Sequence, residues 1–284
     1  MSLITVLGSS GFIGSHLVKR IRDLGIQCLA PAREESLAGR QLGSLIYAIG
    51  VTADFRTKPF ETVQAHVCKF REVLQSCKFD SVLYLSSTRL YHGRAGVARE
   101  DDPITTSPLN PDHLYNISKL MGESIALASG VNVRVVRLSN VYGEDFKSDN
   151  FLTSVIRDAV IEGKVALQTS ADSAKDYVSL KDVVEVLINI AKSGRERIYN
   201  VASGSNVSNH EITEKIRLLT GCEVEIPPSA PKHAFPLINV DRVAHEFGFK
   251  PSRMLDDLDH LVELYKAQFN RVVTKPSDSQ HSIM

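Results

Sequence analysis

The sequence predicts an α/β protein: a doubly wound parallel sheet with helices on both faces, followed by a smaller mixed α/β C-terminal region. Three observations carry this. Strand-like and helix-like apolar patterns alternate from Leu3 to Leu138. A glycine-rich turn, Gly8-Ser9-Ser10-Gly11-Phe12-Ile13-Gly14, separates the first strand from the first helix. After Leu138 the rhythm loosens into short segments rich in Gly, Asp, Ser and Pro.

The elements follow in order. Leu3-Ile4-Thr5-Val6-Leu7 is apolar, enters the glycines directly and reads as strand; residues 12–24 have helical spacing. Gln27–Ala32 and Ser44–Ile49 read as strands. Helical spacing over 60–77 precedes a strand at Ser81–Ser86, a helix at Tyr115–Ala128 and a strand at Asn132–Leu138. Pro227-Pro228-Ser229-Ala230-Pro231 is a turn or an extended linker, and Asp256–Phe269 is helical. Residues from Thr274 onward are polar and expected to be poorly ordered, with 271–284 a flexible tail.

Composition excludes several classes. The 33 basic and 33 acidic residues cancel, which argues against a nucleic-acid binder that relies on a broad basic field. A local positive pocket stays compatible with that balance. No apolar run is long enough to cross a bilayer, and the N-terminus lacks a signal-peptide pattern, so no membrane association is expected. Cys28, Cys68, Cys77 and Cys222 are scattered without a CxxC pair, as expected for reduced thiols in a cytoplasmic protein. The histidines show no metal-ligand spacing, so no metal site is expected.

The glycine spacing suits a dinucleotide pyrophosphate. Gly8 permits a sharp turn off the strand, Gly11 permits close approach of backbone N–H groups, and Gly14 permits close packing of the helix. The phosphates would lie at the positive end of the helix that starts at Phe12. A turn without a ligand is the competing reading. At the end of the second strand, Ala30-Pro31-Ala32-Arg33 offers no acid for ribose hydroxyls. A guanidinium suits a 2′-phosphate, so Arg33 favours NADP(H) over NAD(H). The alternative is a solvated arginine paired with Glu34 or Glu35.

Tyr115 and Lys119 are four apart and share one helix face. A nearby ammonium lowers a phenol's pKa, and the phenol can then exchange a proton with an alcohol or a developing alkoxide. YxxxK also arises by accident on helices. Here it follows a strand that ends in Ser86-Ser87-Thr88, whose hydroxyls could bind the same substrate oxygen.

With these residues in place, the chain resembles the extended short-chain dehydrogenase/reductase family, above all its nucleotide-sugar epimerases, dehydratases and reductases. Gly8–Leu17 (GSSGFIGSHL) resembles the family's glycine motif, which implies cofactor contacts from Gly8, Ser10, Gly11, Phe12, Ile13 and Gly14. Leu83–Tyr91 resembles the strand bearing the catalytic Ser or Thr; counting back from Tyr91 places it on Ser87, with Thr88 a near rival. Arg137–Gly143 resembles RxxNVYG, whose Asn, here Asn140, faces substrate. Asp176–Val183 resembles RDYVxVxDV. The family architecture would be a Rossmann-type nucleotide-binding domain, residues 1–140 plus about 176–201, and a smaller substrate domain, about 141–175 and 202–270, with the sugar nucleotide between them. Family members commonly form homodimers through two helices, here 60–77 and 115–128; plain core is the alternative for their apolar faces.

Several positions depart from the family pattern. Leu7 replaces Thr, Ala48-Ile49-Gly50 stands where LAA is usual, and His66 occupies an Asn position. Lys175 replaces an Arg that contacts diphosphate, and keeps the charge without the bidentate geometry. His113 stands where Ser or Thr is usual, either as a loop residue or as a proton relay. Residues 34–43 are too few for the usual helix and strand, which implies a simpler adenine pocket.

The family's dehydratases carry Asp-Glu directly after the catalytic Thr, whereas Thr88-Arg89 follow Ser87 here, so dehydration is disfavoured. The short chain and Arg33 resemble NADPH-dependent 4-ketoreductases of nucleotide-linked 4-keto-6-deoxyhexoses. In that reading Tyr115 protonates the carbonyl oxygen, Lys119 holds the nicotinamide ribose and lowers the Tyr115 pKa, and Asn140, Asn150 and Lys175 position the sugar and diphosphate. A nucleotide-sugar 4-epimerase with tightly bound NAD is the alternative, and a dinucleotide-binding regulatory protein a more remote one.

Overall fold

Apolar runs that alternate with amphipathic helices bury both of their faces, and this makes the first half of the chain a covered parallel sheet. The computed structural model describes residues 3–52, 54–146, 148–233 and 235–273. The chain begins with β1 (Leu3–Leu7), α1 (Phe12–Asp23), β2 (Gln27–Leu29) and β3 (Ser44–Tyr47). Next, α2 (Pro59–Val63), a π-helical turn (Gln64–Cys68) and α3 (Lys69–Ser76) follow without a break. Then come β4 (Ser81–Ser87), a 3-10 turn (Thr88–Tyr91), β5 (Val97–Ala98), α4 (His113–Ala128), β6 (Val133–Leu138) and β7 (Asn140–Tyr142). Beyond these lie α5 (Phe151–Ile161), β8 (Lys164–Ala166), β9 (Ala174–Ser179), α6 (Leu180–Ser193), β10 (Ile198–Val201) and β11 (Asn206–Ser208). The last elements are α7 (Asn209–Thr220), β12 (Glu223–Glu225), β13 (Leu237–Ile238), α8 (Asp241–Phe247) and α9 (Met254–Val273).

Two units form. The first comprises Met1–Gly143, Ala174–Val207 and Ala234–Arg253 within the described residues. Its sheet has the order β10-β6-β4-β3-β1-β2, with every neighbouring pair parallel. From β1 the chain steps outward to β2, then reverses through β3 and β4. The carboxyl ends of β1 and β3 therefore flank the topological switch point, where open α/β sheets bind ligands. Because strand side chains alternate, Ile4, Val6, Ile46 and Leu85 pack with Leu17 and Ile21 of α1 and Leu187 and Ile190 of α6. On the other face Leu45, Tyr47, Val82, Tyr84 and Val135 pack with Phe70 and Val73 of α3 and Ala126 of α4.

The second unit is Glu144–Ser173, Ser208–His233 and the described part of Met254–Met284. Buried Leu152, Val155 and Ile156 of α5, Ile212 and Ile216 of α7, and Leu258, Val262 and Tyr265 of α9 supply its apolar interior. β8 and β12 pair in parallel within it. A capping box, Ser208 with Glu211, starts α7, and Gly221 in the left-handed conformation ends it.

Several expectations are corrected. The second strand stops at Leu29 and not Ala32, since Pro31 has no N–H for the ladder. Ala234–Arg253, placed by sequence in the substrate domain, cluster with the sheet unit: β13 pairs with β5, and Val243 is buried in the main core. The segment read as a uniform helix over 60–77 contains the π turn. Residues 34–43 hold neither helix nor strand; an Arg40–Glu35 ion pair and a lone bridge from Gln41 to Lys78 order them. The tail expected at 271–284 lies outside the described residues from 274 onward. Among the described residues the four cysteines form no disulfide, no helix is long and apolar enough to cross a membrane, and no group of His, Cys, Asp and Glu could hold a metal.

Candidate active site

At the switch point the chain leaves β1 through Gly8, whose φ is +86°. A Cβ there would lie 2.8 Å from the Ala48 carbonyl, and a Cβ on Gly14 would lie 2.1 Å from the Gly8 oxygen. Gly14 thus serves closeness to the turn itself. Gly11 N–H donates to Gly8 O at 3.0 Å. Gly11 also caps α1 with no side chain, and α1 has no acid in its first turn. The chain thus leaves the positive N-terminus of α1 without an anion of its own, as a dinucleotide pyrophosphate requires. Ser10 is exposed in the turn, while Phe12 and Ile13 pack against the core. Gly14→Ala is expected to abolish dinucleotide binding measured by calorimetry, since a backbone oxygen must move to admit the methyl group. Unchanged affinity would contradict this geometry.

Ala48 N–H donates to Leu7 O at 2.9 Å, so Ala48-Ile49-Gly50 leave β3 beside the glycine turn. Arg33 is 95% exposed, with Nε 3.8 Å from Glu34. So loose a pair contributes little and leaves the guanidinium available to a ligand. Glu35 is engaged elsewhere, by Arg40 and by Ala32 N–H at 3.1 Å.

Tyr115 and Lys119 are both on the buried face of α4. β4 ends at Ser87, whose hydroxyl accepts from Arg89 N–H at 3.2 Å and acts on the buried Tyr115 phenol, pulling its pKa down. Of the two hydroxyls the sequence offers, Ser87 is the one that acts on the Tyr115 phenol; Thr88 is buried in the 3-10 turn. Burial raises the Tyr115 pKa, while the Ser87 hydroxyl and the Arg89 guanidinium pull it down. Lys119 Nζ instead donates to Leu85 O at 2.8 Å. Burial lowers the Lys119 pKa to about 7, against an opposing pull from Glu123. Arg89 is thus a second cation beside Tyr115, its Cζ 5.8 Å from the Tyr115 ring centroid, while Leu85 O engages the Lys119 ammonium.

His66 is a second residue whose role the sequence did not reveal. It is fully buried in the π turn. Val51 N–H donates to its Nε2 at 3.2 Å, which leaves the ring proton on Nδ1, 2.8 Å from Ser118 Oγ. Ser118 in turn donates to Tyr115 O at 2.9 Å. The His66 ring meets the Tyr115 ring edge-on at 5.3 Å. Burial, then the Lys119 charge, depress its pKa to about 2, so it stays neutral. His66 thus ties the segment after β3 to the helix that carries Tyr115. Its departure from the family's Asn was the available signal.

Asn140 donates to Asp176 O at 2.8 Å, joining β7 to β9. Lys175 lies 6.0 Å over the Phe235 ring, and burial and Arg89 lower its pKa. His113 accepts from Ser107 N–H at 2.9 Å and so anchors its loop. Asn150 belongs to the second unit, where it starts α5 and donates to Asp145 at 3.5 Å.

Comparison with known proteins follows the same lines. The model of the NAD dependent epimerase/dehydratase family matches residues 4–202. A dTDP-4-dehydro-6-deoxyglucose reductase of Escherichia coli is 26% identical over 72% of this chain and 66% of its own length. A dTDP-4-dehydro-6-deoxy-D-allose reductase of a Streptomyces species is 25% identical over 93% of this chain and 96% of its own. A UDP-glucose 4-epimerase of Streptococcus mutans is 23% identical over 91% and 94%. Among solved structures, MoeE5 in complex with UDP-glucose and NAD superposes with a TM-score of 0.80 at 23% identity, covering 94% of this chain and all of that one. RMD from Pseudomonas aeruginosa complexed with NADPH gives 0.75 at 21%, with 94% and 100% covered.

Proposed function

The chain belongs to the NAD dependent epimerase/dehydratase family, and we propose that it is a nicotinamide-dependent reductase of the 4-keto group of a nucleotide-linked 4-keto-6-deoxyhexose. The observation that carries this reading is the buried Tyr115 with Lys119 one helical turn along the same face of α4, and the Ser87 hydroxyl at the end of β4 acting on the Tyr115 phenol. The two reductases named above, similar over most of this chain, support it.

A bound nicotinamide would supply the hydride. Gly8, Ser10, Gly11, Phe12, Ile13 and Gly14 hold the pyrophosphate in this reading, and Ala48-Ile49-Gly50 border the adenosine side. Tyr115 gives its phenolic proton to the carbonyl oxygen, and Ser87 orients that oxygen. Lys119 binds the nicotinamide ribose. Asn140, Asn150 and Lys175 position the sugar and diphosphate. Exposed Arg33 favours NADP(H) through a 2′-phosphate. Phe60, 85% exposed, and Met121, 50% exposed, support pairing with a second copy through the helices around 60–77 and α4. A cytoplasmic location fits a soluble nucleotide-sugar substrate.

The test is a progress assay with equimolar NADPH and a panel of nucleotide-linked 4-keto-6-deoxy sugars, following nicotinamide absorbance and sugar product together. Stoichiometric NADPH loss with a reduced sugar is expected. Interconversion of nucleotide hexoses without net cofactor change would replace this reading with the 4-epimerase; cofactor binding with no turnover would favour a regulatory protein. Tyr115→Phe is expected to cut turnover about 10²–10⁴-fold while leaving cofactor affinity unchanged. Undiminished turnover would overturn the assignment.

A further inference from the structure

Arg89 follows the strand that bears Ser87, and its guanidinium lies in an unusual setting. It is largely withdrawn from solvent, and burial lowers its pKa. Its Cζ lies 5.0 Å from the Phe55 ring centroid and 5.8 Å from that of Tyr115. Among the described residues, no acid forms an ion pair with it. The one carboxylate that acts on it, Asp112, accepts from Arg56 Nε at 2.5 Å. Arg56 itself occupies the Phe55 ring, at 4.5 Å from the centroid. Lys175 is a further cation that feels the Arg89 charge. Arg56 and Arg89 thus share the Phe55 ring, itself 5.5 Å from Tyr115, with Asp112 committed to Arg56. A half-buried guanidinium with its donors uncommitted is costly unless a ligand or a reaction intermediate supplies the negative charge.

We propose that Arg89 is a catalytic residue, whose guanidinium holds the negative charge exchanged between the reacting substrate oxygen and the Tyr115 oxygen. The inference rests on reading the site as one that reduces a carbonyl. When hydride adds to the carbonyl carbon, the C=O π pair moves onto oxygen. The Tyr115 proton then transfers to that oxygen and leaves a phenolate, which solvent reprotonates. One negative charge persists from the first event to the last, and it passes between two oxygens beside Ser87. Arg89 neither gives nor takes a proton. It is attracted to whichever oxygen carries the charge, and it is positioned before the reaction starts by its stacking on Phe55 and by the Arg89 N–H bond to Ser87. The neighbouring Arg56–Asp112 pair keeps the nearest acid from neutralising it.

Two measurements test this, on Arg89→Met, which keeps an unbranched apolar stem without the charged guanidinium, and on Arg89→Lys, which keeps the charge. In the reductase assay, Arg89→Met is expected to lose about 10²–10³-fold in kcat with a smaller change in KM, and Arg89→Lys to regain part of the loss. The second measurement uses cofactor-free protein labelled with 3-fluorotyrosine, because fluorine lowers each phenol's pKa into a range where the fold survives. The Tyr115 fluorine resonance is assigned by its loss in Tyr115→Phe. Its titration is expected to rise by about one pH unit in Arg89→Met, a tenfold weakening of the acid, and to stay near wild type in Arg89→Lys. An unmoved titration, or a loss confined to KM, would overturn the proposal. If the reductase reading fails on every sugar tested, the fluorine titration still decides the role of Arg89, since it needs neither cofactor nor substrate.

Discussion

Lys119→Met is expected to abolish turnover and, at the same time, to stabilise the cofactor-free protein at neutral and acidic pH. The Lys119 ammonium is buried to 4% exposure, with Leu85 O as its hydrogen-bond acceptor at 2.8 Å. One neutral acceptor does not replace a hydration shell, so burial lowers its pKa to about 7. Below that pH the lysine is charged in both folded and unfolded chains, and the fold carries the whole desolvation cost. Between about pH 7 and the ordinary lysine value of 10.5, the folded chain has shed the proton that the unfolded chain keeps, so wild-type stability rises with pH. Methionine fills a similar volume without a charge, at the cost of one unpaired carbonyl, about 1 kcal/mol. Its advantage is therefore greatest on the acid side, on the order of a few kcal/mol, and shrinks as pH rises. Thermal unfolding of both proteins at about pH 6 and about pH 9 checks this. A variant less stable than wild type at the lower pH, or a gap that does not narrow at the higher, would count against it. Such an exchange of activity for stability is the signature of a residue kept for chemistry.

The features legible in the sequence were those that local rules dictate. The turn from β1 into α1 needs glycine for reasons internal to a few residues, and Gly8 and Gly14 meet them. The scarcity of residues between β2 and β3 was a matter of counting. Tyr115 and Lys119 share a face because helices repeat. What escaped depends on contacts between distant elements. The π turn at Gln64–Cys68 cannot be seen in apolar spacing. Its carbonyls are held by the sheet, with Tyr47 donating to Ala65 O at 2.7 Å and Tyr84 to His66 O at 3.0 Å. Gly122 lets α4 approach that turn, since a Cβ there would stand 2.2 Å from the Tyr84 hydroxyl. The Arg89 charge beside Tyr115 was hidden for a similar reason. The YxxxK spacing brings Lys119 near, but only the fold shows that Leu85 O captures its ammonium. Likewise, only the fold commits Asp112 to Arg56 and leaves Arg89 without an acid.

Breaking the buried Arg137–Glu123 pair is expected to destabilise the sheet unit by about 3–5 kcal/mol, enough to unfold a marginally stable protein. The two residues are 4% and 3% exposed. Arg137 donates to both Glu123 oxygens, at 3.0 and 2.7 Å. Its remaining arm reaches the Tyr91 hydroxyl at 2.6 Å and Glu100 O at 3.0 Å. Tyr91 passes the network to Asn200 Oδ1 at 2.9 Å, and Asn200 N–H donates to the Glu100 carboxylate at 3.0 Å. Burial opposes the Arg137 charge, yet the Glu123 hydrogen bonds and charge outweigh it and raise its pKa. Glu123→Leu leaves that guanidinium buried without its acid and Arg137→Met leaves the Glu123 carboxylate without its base, whereas the two combined remove both charges from the interior. The double variant is expected to recover most of the loss, because desolvating an ion pair costs nearly what the pair returns. Urea unfolding of the four proteins of this cycle gives the coupling directly. A single variant within about 1 kcal/mol of wild type would mean that solvent reaches the pair. A double variant as stable as wild type but with reduced turnover would show what the pair is kept for: it clamps α4, and with it Tyr115, to β6 and to the turn that carries Arg89.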